Sequence, residues 1–555
     1  MNTPPKVCLG DYRLLKKCTV LFVSCLACAA PPALAEHTLN LPLAPIQQRL
    51  LEQPEDHCAL FELRSQPVGE ALNALYQAKG YTAIWQDEAR MTLLQAELSE
   101  LLDDGLNPLE YLVPAPADAD PVCAELHYSA LYLQALEHLS RGRLDQQRHE
   151  PVWQSPSVLA PVRLSVAQLG IAGLENLTAG FASARPTLPL YQKLRSAYQQ
   201  MDADLPELEA FPAGPLIRPE STDARLPLLA RRLMLTGYLD PAASAGPLDR
   251  PVLAEPDMLH LQPLTYHDIL QRAVRAFQAD HGLQPDAVIG PQTVTALNFS
   301  PRQRQQQVRI NLERLRWLDA RRQHHSLIVN AAGGVAILHE GDSTRWTSRV
   351  QSGTADRATP LLDSRVNRVT LNPSWTIPPT IMREDKLPQI RANPAYFAER
   401  NLLVLNHDGT QLDPAAIDWQ NPGGVMLREP PGPGNPLGRM VFRFDNPFSV
   451  FLHDTPSQAL FERAVRNVSS GCVRVQRADE LADYLFYTLD SQQRQRIRQR
   501  MDSGTTHEIR IDNAPQVLLT YWTAQGLDNG KLRFTPDPYQ LDAPLIRAYH
   551  QATGL

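Results

Sequence analysis

The residues able to do chemistry crowd into one stretch, Phe451 to Leu485, which reads FLHDTPSQALFERAVRNVSSGCVRVQRADELADYL. His453 ends a strand-like run and is followed by Asp454-Thr455-Pro456; further on comes Ser469-Ser470-Gly471-Cys472-Val473-Arg474. Attack of a cysteine on a carbonyl needs a thiolate, a base to make it and donors for the oxyanion that forms. Cys472 can be the nucleophile and His453 the base. Gly471 lets main chain approach a substrate, so the N–H groups near Gly471 and Cys472 are the expected oxyanion donors. Arg474 puts a cation nearby, able to lower the thiol pKa or to hold a substrate carboxylate. The alternative for a lone cysteine is a buried, inert thiol. Zinc is disfavoured, because no C-x-x-C or H-x-x-x-H pair completes a ligand set; His324-His325 reads as a solvated turn.

The elements that must position this segment are strands. Leu327-Ile328-Val329, a turn at Gly333-Gly334, Val335 to Leu338 and a turn at Glu340-Gly341-Asp342 have hairpin punctuation. Val366 to Leu371, Met440 to Phe444 and Ser449 to Leu452 are further β segments, and a helix from about Ala478 packs Leu481, Leu485 and Phe486. Between about Asn372 and Pro433 lies a long irregular insertion with a helical piece near Asn393 to Glu399, of the kind that forms lids or binding loops. Upstream, Ser300 to Leu318 reads as one amphipathic helix carrying Val308, Leu312, Leu315 and Leu318. Before it, Leu228 to Leu235, the run around Ile269 to Phe277 and the run through Val294 and Leu297 predict a small three-helix bundle. Gly282 closes its second helix and Pro291 opens its third, and a proline-rich insertion runs from about Asp240 to Pro263. Residues 36 to about 200 carry helical patterns at Val68 to Ala78, Met91 to Leu102 and Tyr128 to Arg141; residues 202–226 read as a linker.

A chain of 555 residues implies roughly three or four domains at about 100–200 residues each. With 43% hydrophobic and 20% charged residues it is a folded protein, and a net charge of −7 excludes a basic nucleic-acid footprint. Lys6, Arg13, Lys16 and Lys17, an apolar Cys18 to Ala30 and Ala33-Leu34-Ala35 read as an export signal cleaved after Ala35; an uncleaved anchor is the alternative. Of seven cysteines, the signal takes Cys8, Cys18, Cys25 and Cys28. In an oxidising compartment Cys58 and Cys123 are then expected to pair, leaving Cys472 as a thiol.

Two segments resemble known families. AVRAFQADHGLQPDAVIGPQTVTALN resembles the peptidoglycan-binding type 1 domain. The HDTP…SSGCVRV pattern resembles the L,D-transpeptidase catalytic (YkuD) domain, with Thr359-Pro360, NPSWTIPP (Asn372 to Pro379) and REPPGPGNPLG (Arg428 to Gly438) as further matching features. The whole chain resembles the large YcbB-type L,D-transpeptidases of Gram-negative bacteria. The resemblance implies a multidomain α+β fold: signal 1–35, helical scaffold domain 36–222, three-helix peptidoglycan-binding domain 223–300, and β-rich catalytic domain 301–515 with a capping insertion at about 372–433. A C-terminal extension, 516–555, would pack on the scaffold or the catalytic domain. It also implies Cys472 as nucleophile, His453 as general base and acid, Gly471 in the oxyanion hole, and Arg474, Ser470, Thr455 and Trp375 facing substrate. The residue two before the histidine is Phe451, where relatives often carry tyrosine. The implied reaction joins a tetrapeptide donor to a diaminopimelate acceptor through a thioester, releasing D-Ala and forming a 3→3 cross-link. No cofactor and no metal are needed, and carbapenems are expected to acylate the thiol. The protein is expected to be a periplasmic monomer working beside peptidoglycan synthases. Attachment of a protein to the wall, tetrapeptide trimming and a non-catalytic peptidoglycan-binding scaffold stay open. Other cysteine enzymes fit less well: papain-like and NlpC/P60 hydrolases place Cys before His, and sortases separate His from Cys much further.

Overall fold

The strand-like runs close on themselves into a barrel. In chain order its strands are β1 (His325–Asn330), β2 (Val335–Glu340), β3 (Ser343–Gly353), β4 (Leu362–Leu371), β5 (Met440–Phe444), β6 (Leu452–His453), β7 (Val473–Val475) and β8 (Gln516–Thr520). Around the barrel they run β4-β5-β6-β7-β3-β2-β1-β8, and β8 pairs back onto β4. The β6–β7 and β1–β8 pairs are parallel and the others antiparallel. Alternation along the strands sends Leu327, Val329, Leu338, Val350, Val369, Phe442, Val517 and Leu519 into one core. Ile328 and Leu518 instead join Val308, Leu312 and Leu315 of a helix lying against the barrel. Two buried faces account for the uninterrupted apolar run Leu327-Ile328-Val329. This computed structural model describes residues 44–51, 58, 66–117, 119–158, 163–201, 208–240, 264–393 and 395–553. The export signal and nearly all of the proline-rich insertion lie outside the described residues.

Three expectations change. The break expected between 515 and 516 falls at the edge of a barrel strand: β8 completes the barrel, and only the hairpin Ala524–Gly526/Leu532–Phe534 and the helix Asp542–Thr553 follow it. That tail packs on the helical N-terminal unit, where Tyr549 Oη donates to the Gly105 carbonyl (2.8 Å) and Arg143 Nη2 to that of Ala552 (2.8 Å). The strand expected at Ser449–Leu452 is only Leu452–His453, because Ser449 takes φ +56° and bends the approach. The stretch read as a linker is anchored: Phe211 and Ile217 enter the core of the three-helix bundle, and Ile217 bridges to Ile289.

The helix Pro301–Arg321 also departs from its expected amphipathic character, since Gln307, Val308 and all of Ile310–Asp319 are buried. It is wedged between the scaffold, the barrel and the C-terminal tail. Its polar side therefore has to be matched by partners, because an unpaired buried charge costs several kcal/mol. Arg314 pairs with Glu150 (2.6 Å) and Asp542 (2.5 Å). Arg316 pairs with Glu313 (2.7 Å) and donates to the Asp104 carbonyl (2.8 Å). The 372–433 insertion is no loose loop either. It holds a four-stranded sheet, in the order 411–412, 403–405, 426–429, 375–376, over its own core of Ile377, Leu387, Ile390, Tyr396, Val404 and Leu427.

In the scaffold, Cys58 and Cys123 form a disulfide with their Cα atoms 5.6 Å apart. Cys123 sits in the first turn of the long helix Pro121–Arg141, whose N-cap is Asp120. Non-reducing peptide mapping of the purified protein should recover the two cysteines in one linked fragment, and Cys58→Ser should cost about 2–4 kcal/mol of scaffold stability. Two free thiols would remove this cross-link from the native protein.

Candidate active site

The site follows from one pairing. In the parallel β6–β7 ladder Leu452 lies beside Val473 and His453 beside Arg474, while the Val473 amide donates to the Phe451 carbonyl (3.1 Å). Leu452 and Val473 are fully buried in the barrel core. By alternation, His453 and Arg474 lie on the opposite face, and Phe451 and Cys472 precede them on that face. The antiparallel β5 adds a member: Phe442 pairs with Leu452, so Arg443 stands next to Phe451, its guanidinium 5.3 Å from the ring centre. One sheet face thus carries a thiol, an imidazole and two guanidiniums.

His453 is buried, and its Nδ1 lies 2.5 Å from the Asp454 carbonyl. A carbonyl only accepts, so Nδ1 carries the proton and Nε2 is left as the base. Burial, then the Arg474 charge, push the His453 pKa down to about 3, against the pull of the Asp454 and Leu437 main chain. The imidazole is therefore neutral at rest. Burial also raises the half-buried Cys472 thiol above its usual range, while the Phe451 main chain, Arg474 and Arg443 pull the other way. The sequence expectation that Arg474 lowers the thiol pKa is right in sign, but desolvation is the larger effect. Arg474 Nη1 donates to Gln351 Oε1 (3.0 Å), and its buried Nε has no protein partner among the described residues.

The remaining predicted residues divide. Gly471 has φ +110°, which favours glycine. Its N–H, expected to serve an oxyanion, donates to Ser469 Oγ (3.2 Å), and its carbonyl accepts from Thr359 Oγ1 (2.8 Å), so both groups are engaged in the turn. Ser470 is exposed, and its hydroxyl accepts from Arg357 Nη1 (3.0 Å). Thr455 is buried, its hydroxyl accepting from the Ser457 amide (3.2 Å), which shapes the turn after His453. Trp375 lies in the cap sheet opposite Glu429, with Lys386 Nζ 5.6 Å from its ring, and is not brought onto the Cys472 face by any contact. Sequence reading missed Arg443 and Arg357. A lone arginine inside the apolar run MVFRF was the available signal for the first. Nothing local marked the second, which joins the Cys472 turn to Glu384 (2.8 Å) and Asp385 (2.7 Å) of the cap. Among the described residues no group of His, Cys, Asp and Glu could hold a metal.

The electrostatics set a testable order. Iodoacetamide alkylation of Cys472 should rise with pH along a single inflection above the ordinary thiol range, with none near the usual histidine value. Arg474→Met or Arg443→Met should move that inflection higher still. An inflection below neutrality would mean a preformed thiolate–imidazolium pair and overturn the neutral resting state.

Comparison with known proteins matches three segments of the chain. The family model described as "L,D-transpeptidase catalytic domain" (YkuD) matches residues 324–505, "Scaffold domain" matches 70–197 and "Putative peptidoglycan binding domain" matches 262–297. A curated Haemophilus influenzae protein named "Putative L,D-transpeptidase" is 34% identical over 241 residues, which is 43% of this chain and 48% of that protein. The chain thus matches about half the length of that relative. A solved L,D-transpeptidase fragment from Xylanimonas cellulosilytica aligns over 56% of this chain and 98% of its own at 17% identity, with a TM-score of 0.16, too low to bear on the fold. In chain order the matched segments are a scaffold domain, a peptidoglycan-binding domain and an L,D-transpeptidase catalytic domain, and the last of these covers the strands that carry His453 and Cys472.

Proposed function

We propose that the chain cross-links peptidoglycan stem peptides through a Cys472 thioester. What carries this reading is the register of β6 and β7, which sets a neutral His453, its Nδ1–H tied to Asp454, on the same face as Cys472. The donor is a tetrapeptide stem. His453 Nε2 takes the thiol proton as the sulfur adds to the carbonyl between the third residue, diaminopimelate, and the terminal D-Ala. The oxyanion falls to the Cys472 amide and the Arg474 guanidinium, since the Gly471 amide is engaged. His453 then returns its proton to the departing D-Ala amine, leaving the thioester. The side-chain amine of a second diaminopimelate attacks that carbonyl and gives its proton to His453, which passes it to the departing sulfur. The products are a 3→3 cross-link and a restored thiol, with no metal or organic cofactor. The buried Arg474 Nε without a protein partner supports a substrate oxygen at that point. No described helix is long and apolar enough to cross a membrane, and the substrate puts the domain in the cell-wall compartment, which we take to be the periplasm.

Incubation with disaccharide-tetrapeptide and mass spectrometry of the products tests the reaction. A dimer one D-Ala lighter than two substrates is expected, and Cys472→Ala and Cys472→Ser should both abolish it. A monomer that has only lost D-Ala means trimming, and unchanged substrate means a binder; either result sinks the cross-linking assignment.

A strained β-lactam amide probes the same machinery. A carbapenem should acylate Cys472 once per chain, not at all in Cys472→Ala, and at least about tenfold more slowly in His453→Ala, where the base is gone. Intact-protein mass spectrometry that shows equal rates with and without His453 would remove it as the base.

A further inference from the structure

A hollow lies away from the thiol, an open cleft of about 990 Å³ between the barrel, the three-helix bundle, the scaffold and the C-terminal hairpin. A hollow of this size at a domain junction is typical of a binding site. Its charge is one-sided: six cationic side chains, Lys193, Arg349, Arg463, Arg466, Arg477 and Arg533, face two carboxylates, Glu462 and Asp528, in a chain whose net charge is −7. Four of the six are occupied. Lys193 pairs with Asp528, Arg349 with Glu462 and Arg477 with Glu480, and Arg466 is spent on main-chain carbonyls of the barrel turn. Arg463 and Arg533 have no side-chain partner among the described residues, and Arg533 Nε is buried and unsatisfied. Such a donor is costly unless something fills it.

The cleft is continuous with the active face. Arg474 pairs with Gln351 across β7 and β3, and the Gln476 amide donates to the Arg349 carbonyl (3.1 Å). Alternation therefore sets Cys472, Arg474 and Gln476, and beside them Gln351 and Arg349, on one side of the barrel; Gln476 and Arg349 line the cleft. Gln476 is four positions beyond Cys472, at most about 14 Å of chain. The connection leaving His453 supplies Glu462, Arg463 and Ala464 to one wall. The bundle supplies Gly282 to Pro285 to another, fixed by the Ala464 amide donating to Gln284 Oε1 (3.2 Å).

We infer that this cleft binds a carboxylate-rich oligomer, and that Arg463 and Arg533 are its free anion contacts. Resting on the peptidoglycan reading, the oligomer is a stretch of glycan strand whose stem peptides present their carboxylates here while one stem reaches Cys472. The site would then give preference to long strands over isolated disaccharide-peptides.

Binding is measured on the full exported chain as Cys472→Ala, so that nothing is consumed. The probe is soluble glycan strands with tetrapeptide stems, native or with their carboxylates amidated, and polyglutamate serves as an acidic chain without glycan. Native strands should bind in a salt-dependent way and lose roughly tenfold in affinity in Arg463→Gln/Arg533→Gln, with rescue by Arg463→Lys/Arg533→Lys. Amidated strands should bind weakly and be insensitive to the variants. With Cys472 intact, the same glutamine variant should still cross-link disaccharide-tetrapeptide at the parent rate. Equal binding of native strands by parent and variant, or of native and amidated strands by the parent, would overturn the proposal. So would polyglutamate binding better than the strands, which would make the ligand an acidic polypeptide. Failure to cross-link the small donor would instead strike the proposed reaction and leave the binding result readable.

Discussion

A pairing of only two residues on each side, Leu452 with Val473 and His453 with Arg474, decides where the chemistry lies. Side chains alternate along a strand, so fixing Leu452 and Val473 in the barrel core fixes Phe451, His453, Cys472 and Arg474 on the other face. A slip of one residue would turn the thiol and imidazole into the barrel core and two core side chains out of it. The register is defended from both sides. Phe442 pairs with Leu452 on β5, Val475 pairs with Val350 on β3, and all four are fully or almost fully buried. The turn ahead of the nucleophile is also pinned, by Ser469 Oγ to the Cys472 carbonyl (2.5 Å) and by Thr359 to Gly471. The active site is held by apolar burial, with hydrogen bonds setting its last details.

The same logic governs the larger architecture. The helix Pro301–Arg321 is the common wall of three modules, and from Ile310 to Asp319 no face of it is left for water. Arginine suits that position because its fork can serve partners from different segments at once. Arg314 joins Glu150 ahead of the scaffold's last helices to Asp542 in the tail, and Arg316 reaches the Asp104 carbonyl and Tyr191. Burying these pairs adds little net stability. What they specify is geometry, since a misdocked tail or scaffold would strand a buried charge. This also explains why the tail follows a barrel strand: once β8 has closed the barrel, the chain leaves it beside the helix that needs Asp542.

Much of this was legible in the sequence, and the failures share a cause. The first hairpin, the three-helix bundle and the Cys472 segment follow from local signals: alternation, a glycine at a helix end, a proline in a first turn. The amphipathic reading of Pro301–Arg321 failed because its polar residues face other protein, and nothing within the helix distinguishes a buried Arg316 from a solvated one. The placing of β8 outside the barrel failed because its partners, β1 and β4, lie far upstream. The 372–433 insertion looked irregular because its strands have only two to four residues each and are stabilised by one another. At the site, residue types announced Cys472 and His453, but the engagement of the Gly471 amide, the burial of Thr455 and the place of Arg443 are matters of register, which no spacing encodes.

The electrostatics of the thiol also bear on how the enzyme avoids harm to itself. A preformed thiolate would react with any electrophile entering the compartment. Here desolvation raises Cys472 and lowers His453, so the pair rests without charge. Two arginines on the same face pull the thiol toward negative charge, yet neither overcomes burial. Arg443 is pulled partly toward Thr370 (2.9 Å) and Arg474 toward Gln351, so each guanidinium keeps donors in reserve. In the proposed reaction a substrate carbonyl delivered to the sulfur would change the balance, because negative charge would move onto an oxygen that fixed dipoles and cations face, and the proton would pass to Nε2 in the same step. On that proposal, reactivity is gated by the arrival of the substrate. The cap is tied to this arrangement through Arg357, whose guanidinium spans Glu384 and Asp385 on one side and Ser470, in the turn that carries Cys472, on the other.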